Sequence, residues 1–378
     1  MTRLTDPWLT DQPSQTVCRV LTEAGYQAWF VGGCVRNSLL GEPVADLDLT
    51  TDAHPDKVTE LAEAANLRVV PTGIDHGTVT VIVDDIPFEI TTFRHDVATD
   101  GRRATVAFAD NMTDDARRRD FTINALYAAP DGTIADPLGG LPDLHARRIR
   151  FIEDADQRIK EDYLRILRFF RFHAWYGDAD EGPDADALAA CAANIEGLQG
   201  LSVERVTSEL LKLLSAPDPA PVVASMASTG GLAQILPGAA TAALPVLVHL
   251  EQQAGHALDP IRRLVALGGD PIAALRLSKD QIKQIEQIGS DMTHAEAAYR
   301  FGAGIGMDRL LIEAASLGTP IDPAQIETVE HAAKQTFPLK AADLMPDLQG
   351  AALGAVLKQA EQRWIASGFT LTKADLLG

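Results

Sequence analysis

Short apolar runs with alternating polar positions dominate the first third of the chain. "AWFV" at 28–31, "LDLT" at 47–50, "RVV" at 68–70, "TVTVIV" at 78–83 and "PFEITTF" at 87–93 read as short β-like runs. Between them, "PDKVTELAEAAN" at 55–66 has the period of a helix. This alternation predicts an α+β head built on one mixed sheet. Near residue 145 the pattern changes to helices almost throughout, from "SVERVTSELLKLL" at 202–214 to the Ala- and Leu-rich segments ending near Gln362. Pro and Gly clusters at "SAPDPAP" and "ALGGDP" punctuate these helices. The expected organisation is a head over residues 1–145, an all-α neck over 146–215, and an all-α body and tail over 216–378.

Two carboxylates interrupt the strand pattern of "FVGGCVRNSLLGEPVADLDLTT", residues 30–51. On a strand, Asp46, Asp48 and Thr50 share one face and Leu47 and Leu49 the other. Like charges so close repel, so the pair points to a metal ion or to a solvated edge. Upstream, "WFV" runs into Gly32-Gly33 and then "CVRNSLL", which reads as strand, tight turn and helix, with Gly41 as the helix stop. A glycine turn at a helix N-terminus exposes backbone N–H groups to an anion, and Arg36 lies one turn further on. Each feature alone is a common turn or strand edge. Their order and spacing together suit nucleotidyl transfer, in which Mg²⁺ ions bridge Asp46, Asp48, a triphosphate and the attacking hydroxyl. Glu89 of "PFEITTFRHD" is the candidate third carboxylate, since Glu89 and Thr91 point away from Phe88 and Ile90; the competing reading pairs it with Arg94.

The net charge of −20 argues against a general nucleic-acid surface. The distribution modifies that picture. Residues 94–171 hold 14 Lys and Arg against 14 Asp and Glu, whereas 1–93 hold 5 against 14 and 172–378 hold 14 against 25. A locally basic lining inside an acidic protein suits a nucleotide or an RNA 3′ end better than long duplexes. No apolar run reaches the length of a membrane span, and the N-terminus lacks a signal-peptide core, so a soluble cytoplasmic protein is expected. Cys18, Cys34 and Cys191 show no CxxC spacing and read as buried thiols. The oligomeric state is left open.

Within the basic segment, "RRRDFTINALY" at 117–127 joins a cationic run to an apolar one, which places Arg119 near the sheet. In "EDYLRILRFFRF" at 161–172, Leu164, Leu167 and Phe170 form a core face. Asp162 and Arg165 have the spacing of a surface ion pair. Arg165, Arg168 and Arg171 sweep around the same helix, where unpaired charge is expensive and an anion is called for. "RHDVATDGRRATVAF" at 94–108, rich in Asp, Gly, Arg and Thr, reads as a mobile loop.

These motifs, in this order, resemble the class II tRNA nucleotidyltransferase and bacterial poly(A) polymerase family, with its polymerase-β-like nucleotidyltransferase head. "VGGCVRN…ADLDLTT" is similar to its metal-binding motif, "RRRDFTINALY" to its second motif, and "DPLGGLPDLHARRIRF" at 136–151 to its head-to-neck connection. "EDYLRILRFFRF" is similar to its nucleobase-selecting helix and "SVERVTSEL" at 202–210 to its closing neck motif. Residues 216–378 match only by position and helicity. The resemblance implies Asp46 and Asp48 for Mg²⁺, Gly33 and Arg36 for the incoming nucleotide, and Arg119 for triphosphate or primer. It also implies Asp162, Arg165, Arg168 and Arg171 for the nucleotide, a 94–108 loop that helps the pocket change from CTP to ATP, and tRNA binding by the body and tail. Asn37 departs from the aspartate usual after the arginine. His249, His256 and Asp259 form no persuasive His-Asp dyad, so a phosphohydrolase activity is not expected.

Base chemistry supports a role for Asp162 and Arg165. Cytosine offers N4–H beside N3, and adenine offers N6–H beside N1, in the same donor–acceptor order. An aspartate acceptor beside an arginine donor therefore fits both, while uracil and guanine reverse the order. The expectation is template-independent addition of C, C and A to a tRNA 3′ end from CTP and ATP with release of pyrophosphate, the alternative being poly(A) synthesis. A small-molecule nucleotidyltransferase would not need the arginine-laden helix, and a non-catalytic RNA-binding protein would have no use for Asp46 and Asp48 among phosphates.

Overall fold

The computed structural model describes residues 3–73, 77–100, 103–109, 111–345 and 347–377. These fall into two compact units, one running through Glu209 together with Ser225–Gln234, the other comprising Leu210–Ala224 and the chain from Ile235 onward.

In the first unit, helices α1 (Pro7–Thr10) and α2 (Gln12–Thr22) precede strand β1 (Trp29–Val31), helix α3 (Gly33–Leu40) and strand β2 (Leu47–Thr51). Helix α4 (Pro55–Ala64) leads to β3 (Arg68–Gly73), β4 (Thr78–Val83) and β5 (Ile86–Thr92). These five strands coincide with the five apolar runs of the sequence. With β8 (Tyr127–Ala128) and β9 (Ile134–Ala135), reached after β6, β7 and helix α5 described below, they make a seven-stranded sheet in the order β3-β4-β5-β2-β1-β8-β9. Only β2 and β5 pair in parallel; the other neighbours are antiparallel, so the sheet is mixed. Phe30, Leu49, Phe88 and Ile90 are buried in its core. Trp8 meets Phe30 edge-on at 5.0 Å and donates to Ser38 Oγ at 2.9 Å, tying α1 to α3.

Segment 94–108 is not the loop its composition suggested. β6 (Arg94–Asp100) and β7 (Arg103–Phe108) pair as an antiparallel ribbon, Arg94 opposite Phe108 and Asp100 opposite Arg103, while residues 101–102 lie outside the described residues. The polar, Gly-containing composition of the segment masked two strand-competent arms.

Beyond α5 (Met112–Arg117), the stretch Phe121–Tyr127 is buried throughout and contains a 3₁₀ turn, Thr122–Asn124. Helix α6 (Leu141–His145), α7 (Ala155–Glu161) and α8 (Leu164–Tyr176) follow. Leu164, Leu167, Phe169 and Phe170 turn one face of α8 inward. Phe151 stacks on Phe169 at 5.7 Å, and Phe121 lies 4.9 Å from Phe151 and 5.2 Å from Phe172. This aromatic packing fixes α8 against the "RRRDFTINALY" segment, so its arginine-bearing face cannot rotate away. Helix α9 (Ala185–Ala193) and the start of α10 (Val203–Leu214) complete the unit.

The second unit is helical. Trp364, Phe369, Val329 and Leu310 lie at the centre of one of its apolar clusters. A buried ion network also holds it: Arg262 joins Glu251 and Asp308, each at 2.7 Å, and Arg263 joins Glu251 at 2.8 Å. Asp259 caps the helix Pro260–Leu267, and His256 lies 3.6 Å from Asp308.

Gly140, in the connection after the sheet, packs so closely that an added Cβ would stand 2.3 Å from the Thr122 carbonyl oxygen. Gly140→Ala must displace backbone, and is expected to lower stability by about 1–3 kcal/mol in denaturant unfolding.

Candidate nucleotide-binding site

The path from β1 into α3 sets up the site. Gly32 has φ 72°, a conformation that favours glycine, and serves as N-cap of α3, whose C-cap Gly41 is left-handed as the sequence suggested. A Cβ on Gly32 would lie 3.5 Å from Arg119 Nη1, and one on Gly33 would lie 3.9 Å from Arg36 Nη2. The turn thus stays open between two guanidinium groups.

A cavity of about 690 Å³ opens here, within the range of ligand sites. It is lined by the glycine turn, by Asp46 and Asp48, by Arg36 and Arg119, and by Asp162, Arg165, Arg168 and Arg171 from the start and outer face of α8. Every site residue proposed from the sequence except Glu89 lines it. Arg94, Arg118, Asp120, Asn124 and Phe172 line it as well.

Asp46 is exposed just before β2, while Asp48 lies half-buried within it. Glu89 stands beside Asp48 in register on parallel β5. Burial, then the charge of Glu89, and to a lesser degree that of Asp46, push the Asp48 carboxyl up to about 6, against the opposing pull of Arg119. Such crowding is relieved by a cation. Among the described residues no three His, Cys, Asp or Glu side chains enclose a metal ion by themselves. Asp46 and Asp48 therefore suit a hard cation that takes its remaining oxygens from phosphate and water, as Mg²⁺ does.

The arginines of α8 do not wait for a ligand to supply their anions, which corrects the inference drawn from their spacing. Arg165 pairs with Glu161 at 2.6 Å and donates to the carbonyls of Arg158 and Arg118. Arg168 pairs with Asp120 at 2.6 Å, and Arg171 with Glu209 at 2.6 Å. Asp162 pairs with Arg205 at 2.6 Å rather than with Arg165. Arg119 and Arg118 share Asp115, at 2.9 and 2.7 Å, and Tyr127 Oη donates to the same carboxylate at 2.9 Å. Arg36 differs. Buried, with Asp120 and Arg171 as its charged neighbours, it hydrogen-bonds only neutral groups, donating to Asn37 Oδ1 at 2.8 Å, Asn124 Oδ1 at 2.6 Å and Tyr176 Oη at 2.9 Å, with its guanidinium 4.1 Å from the Tyr176 ring centre. Burial lowers its affinity for a proton. Asn37 in turn donates to the Pro43 carbonyl at 2.7 Å, which an aspartate could not do.

Asp115, Asp120, Arg205 and Glu209 were not singled out from the sequence. Asp120, Arg205 and Glu209 lie inside quoted motifs, but which cation each meets depends on elements far apart in the chain.

The mixed sheet with its glycine turn and paired carboxylates, facing an arginine-lined helix, is an arrangement that suits nucleotidyl transfer. Residues 28–150 match the poly A polymerase head domain, and residues 183–242 match a family described as a probable RNA and SrmB-binding site of polymerase A. Residues 28–150 and 183–242 are thus similar to two domains of proteins of the poly A polymerase type. It is 41% identical over 201 residues to the mitochondrial CCA tRNA nucleotidyltransferase 1 of Homo sapiens, covering 53% of this chain and 46% of that protein. It is 40% identical over 219 residues to the CCA-adding enzyme of Levilactobacillus brevis, covering 57% and 53%. The chain thus spans about half the length of these curated relatives. Among solved structures, the Bacillus stearothermophilus CCA-adding enzyme in complex with CTP superposes with a TM-score of 0.72 at 26% identity, over 96% of this chain and 94% of that one. The Thermotoga maritima CCA-adding enzyme complexed with tRNA shares the fold, with a TM-score of 0.69 at 18% identity over 100% and 98%.

Burial alone would raise the Asp115 carboxyl, but Arg119 and Arg118 more than offset it and hold it at about 2. Burial and Arg168 act in the same opposed way on Asp120, also at about 2. A depressed carboxyl stabilises the fold above its unfolded value near pH 4, and that stability is lost as pH falls toward about 2. Asp115→Asn strands two arginines, so it should cost about 3–5 kcal/mol near neutrality and flatten the acid limb of a Tm-against-pH curve.

Proposed function

We propose that this protein is a template-independent CCA-adding nucleotidyltransferase: the 3′-hydroxyl of a tRNA attacks the α-phosphorus of CTP twice and of ATP once. Each step forms one phosphodiester bond, breaks the bond to the β-phosphate and releases pyrophosphate and the hydroxyl proton. The observation that carries this reading is a single cavity holding both chemistry-bearing carboxylates, Asp46 and Asp48, and a base-reading pair, Asp162 and Arg165. A plain phosphate site would need only the first set. Relatives named as CCA-adding enzymes support the same reading.

In this reading Asp46 and Asp48 hold Mg²⁺, with Glu89 behind Asp48 as the third carboxylate. Bound there, Mg²⁺ would offset charge on the triphosphate and favour the attacking alkoxide. Gly33 and Arg36 receive the triphosphate. Arg36 suits this role because, unlike the α8 arginines, it hydrogen-bonds only neutral partners, leaving its charge for an incoming anion. Arg119 steadies the triphosphate or primer, and Arg168 and Arg171 carry the edge of the nucleotide. Asp162 accepts from the exocyclic amino group of cytosine or adenine, and Arg165 donates to the adjacent ring nitrogen. Residues 1–145 would serve as catalytic head, 146–215 as selecting neck, and 216–378 as the body and tail that grip tRNA.

We further propose a cytoplasmic location. No helix among the described residues is long and apolar enough to cross a membrane, and Cys18, Cys34 and Cys191 are buried free thiols, suited to a reducing compartment.

Incubating the chain with Mg²⁺, CTP, ATP and a tRNA transcript lacking its last three nucleotides should give a product longer by C, C and A, seen by sequencing gel. A ladder of adenylates running well past one residue would instead identify a poly(A) polymerase. Asp46→Ala and Asp48→Ala should each reduce transfer by at least about a hundredfold while leaving tRNA affinity nearly unchanged, because the carboxylates act on the reaction and not on docking.

A further inference from the structure

We infer that Arg205 is a specificity-determining positioning residue. From outside the cavity it holds the Asp162 carboxylate in the orientation that reads the base, and it keeps Asp162 from pairing with Arg165. This rests on the reading of Asp162 and Arg165 as the base-selecting pair.

The geometry begins with the position of Asp162, between α7 and α8 as the C-cap of the first helix. Its Oδ1 accepts the Leu164 N–H at 3.1 Å, and its Oδ2 accepts Arg205 Nη2 at 2.6 Å. Both oxygens are thereby fixed, one by backbone and one by a side chain from α10. A carboxylate has about four lone-pair sites, so two remain for a ligand. Asp162 lines the cavity while Arg205 does not, which places the arginine behind the carboxylate as seen from a bound base. The Arg205 and Asp162 side chains are 30% and 25% exposed, so the pair is only partly screened by water.

The second half of the inference concerns the neighbour that Asp162 does not choose. Asp162 and Arg165 are three residues apart, with Asp162 just before α8 and Arg165 in its first turn, so the opposite charges are close enough in the chain to join. In that arrangement the acceptor and the donor would satisfy each other and read nothing. Here each has another partner. Arg205 takes Asp162, while Glu161 and the carbonyls of Arg118 and Arg158 take Arg165. Four residues beyond Arg205 on α10, Glu209 takes Arg171 at 2.6 Å and lies 3.9 Å from Arg168. One turn of α10 thus places a cation on the reading carboxylate and an anion on the arginines further along α8.

The test compares single-nucleotide addition by the full chain, wild type and variants, with CTP, UTP, ATP and GTP on a matched tRNA primer. Arg205→Met keeps the aliphatic stem and removes the charge. It should raise KM for CTP and ATP by about tenfold with a smaller change in kcat, and lower the CTP-over-UTP and ATP-over-GTP ratios of kcat/KM by about tenfold. Arg205→Lys should recover part of the ratio. In Asp162→Ala, which has no carboxylate left to position, adding Arg205→Met should change the ratios no further. If Asp162→Ala alters the ratios and Arg205→Met leaves them at wild-type values, the inference about Arg205 is wrong. If Asp162→Ala itself leaves them unchanged, the base-reading role of Asp162 is what fails. Loss of ratio in Arg205→Met that persists equally in the Asp162→Ala background would show that Arg205 acts through general stability, which also overturns the inference.

Discussion

Guanidinium groups crowded around one cavity repel each other and lose water, and the sheet with its arginine-bearing helix depends on how that repulsion is met. The solution is a ring of buried or half-buried carboxylates, one behind nearly every cationic group. Asp115 serves Arg118 and Arg119, Asp120 serves Arg168, Glu209 serves Arg171, and Glu161 serves Arg165. Breaking one such pair leaves a charge in a poorly solvated place, which costs far more than an exposed ion pair contributes. The cavity is therefore held in shape by the protein's own ion pairs before any ligand enters it.

Against this background Arg36 stands out because all its hydrogen-bond partners are neutral. Its partners are two amides and a phenol, with Tyr176 and Phe172 beneath its planar face. Asn37 contributes to that neutrality and also fastens the turn at Pro43 that leads toward Asp46. An aspartate at this position would add a negative charge beside Arg36 and could not donate to the Pro43 carbonyl. Within one cavity, paired arginines give shape, and the arginine with neutral partners gives net attraction for an anion.

The sheet explains why the carboxylates lie where they do. Parallel pairing of β2 with β5 puts Asp48 beside Glu89, and the glycine turn after β1 brings the N-terminus of α3 to the same edge. Repulsion among the acids and the open helix end are complementary needs, for a cation and for an anion. A metal-bound triphosphate satisfies both at once.

Much of this was legible in the sequence because its signals are local. Short β-like runs marked all five long strands of the sheet, the Gly32-Gly33 turn and Gly41 marked the ends of α3, and the inward face of α8 followed from Leu164, Leu167 and Phe170. Asp46 with Asp48, and Asp162 with the arginines of α8, drew attention because charged residues stand close together in the chain at regular spacing, and the family resemblance suggested roles for them. The strands Arg94–Asp100 and Arg103–Phe108 were hidden by a polar composition, because their strand character comes from pairing with each other. The partners of the arginines were hidden for a deeper reason: Asp120 lies 48 residues from Arg168, Glu209 lies 38 from Arg171, and Arg205 lies 43 from Asp162. Periodicity shows which residues a helix turns outward, but it does not show what a distant element brings to meet them. The sequence by itself thus determined the elements, the acidic strand and the arginine face. Only the tertiary structure decided that those arginines are already paired, and that Asp162 answers to Arg205 and not to its helical neighbour, because ion pairing is settled by distance in space.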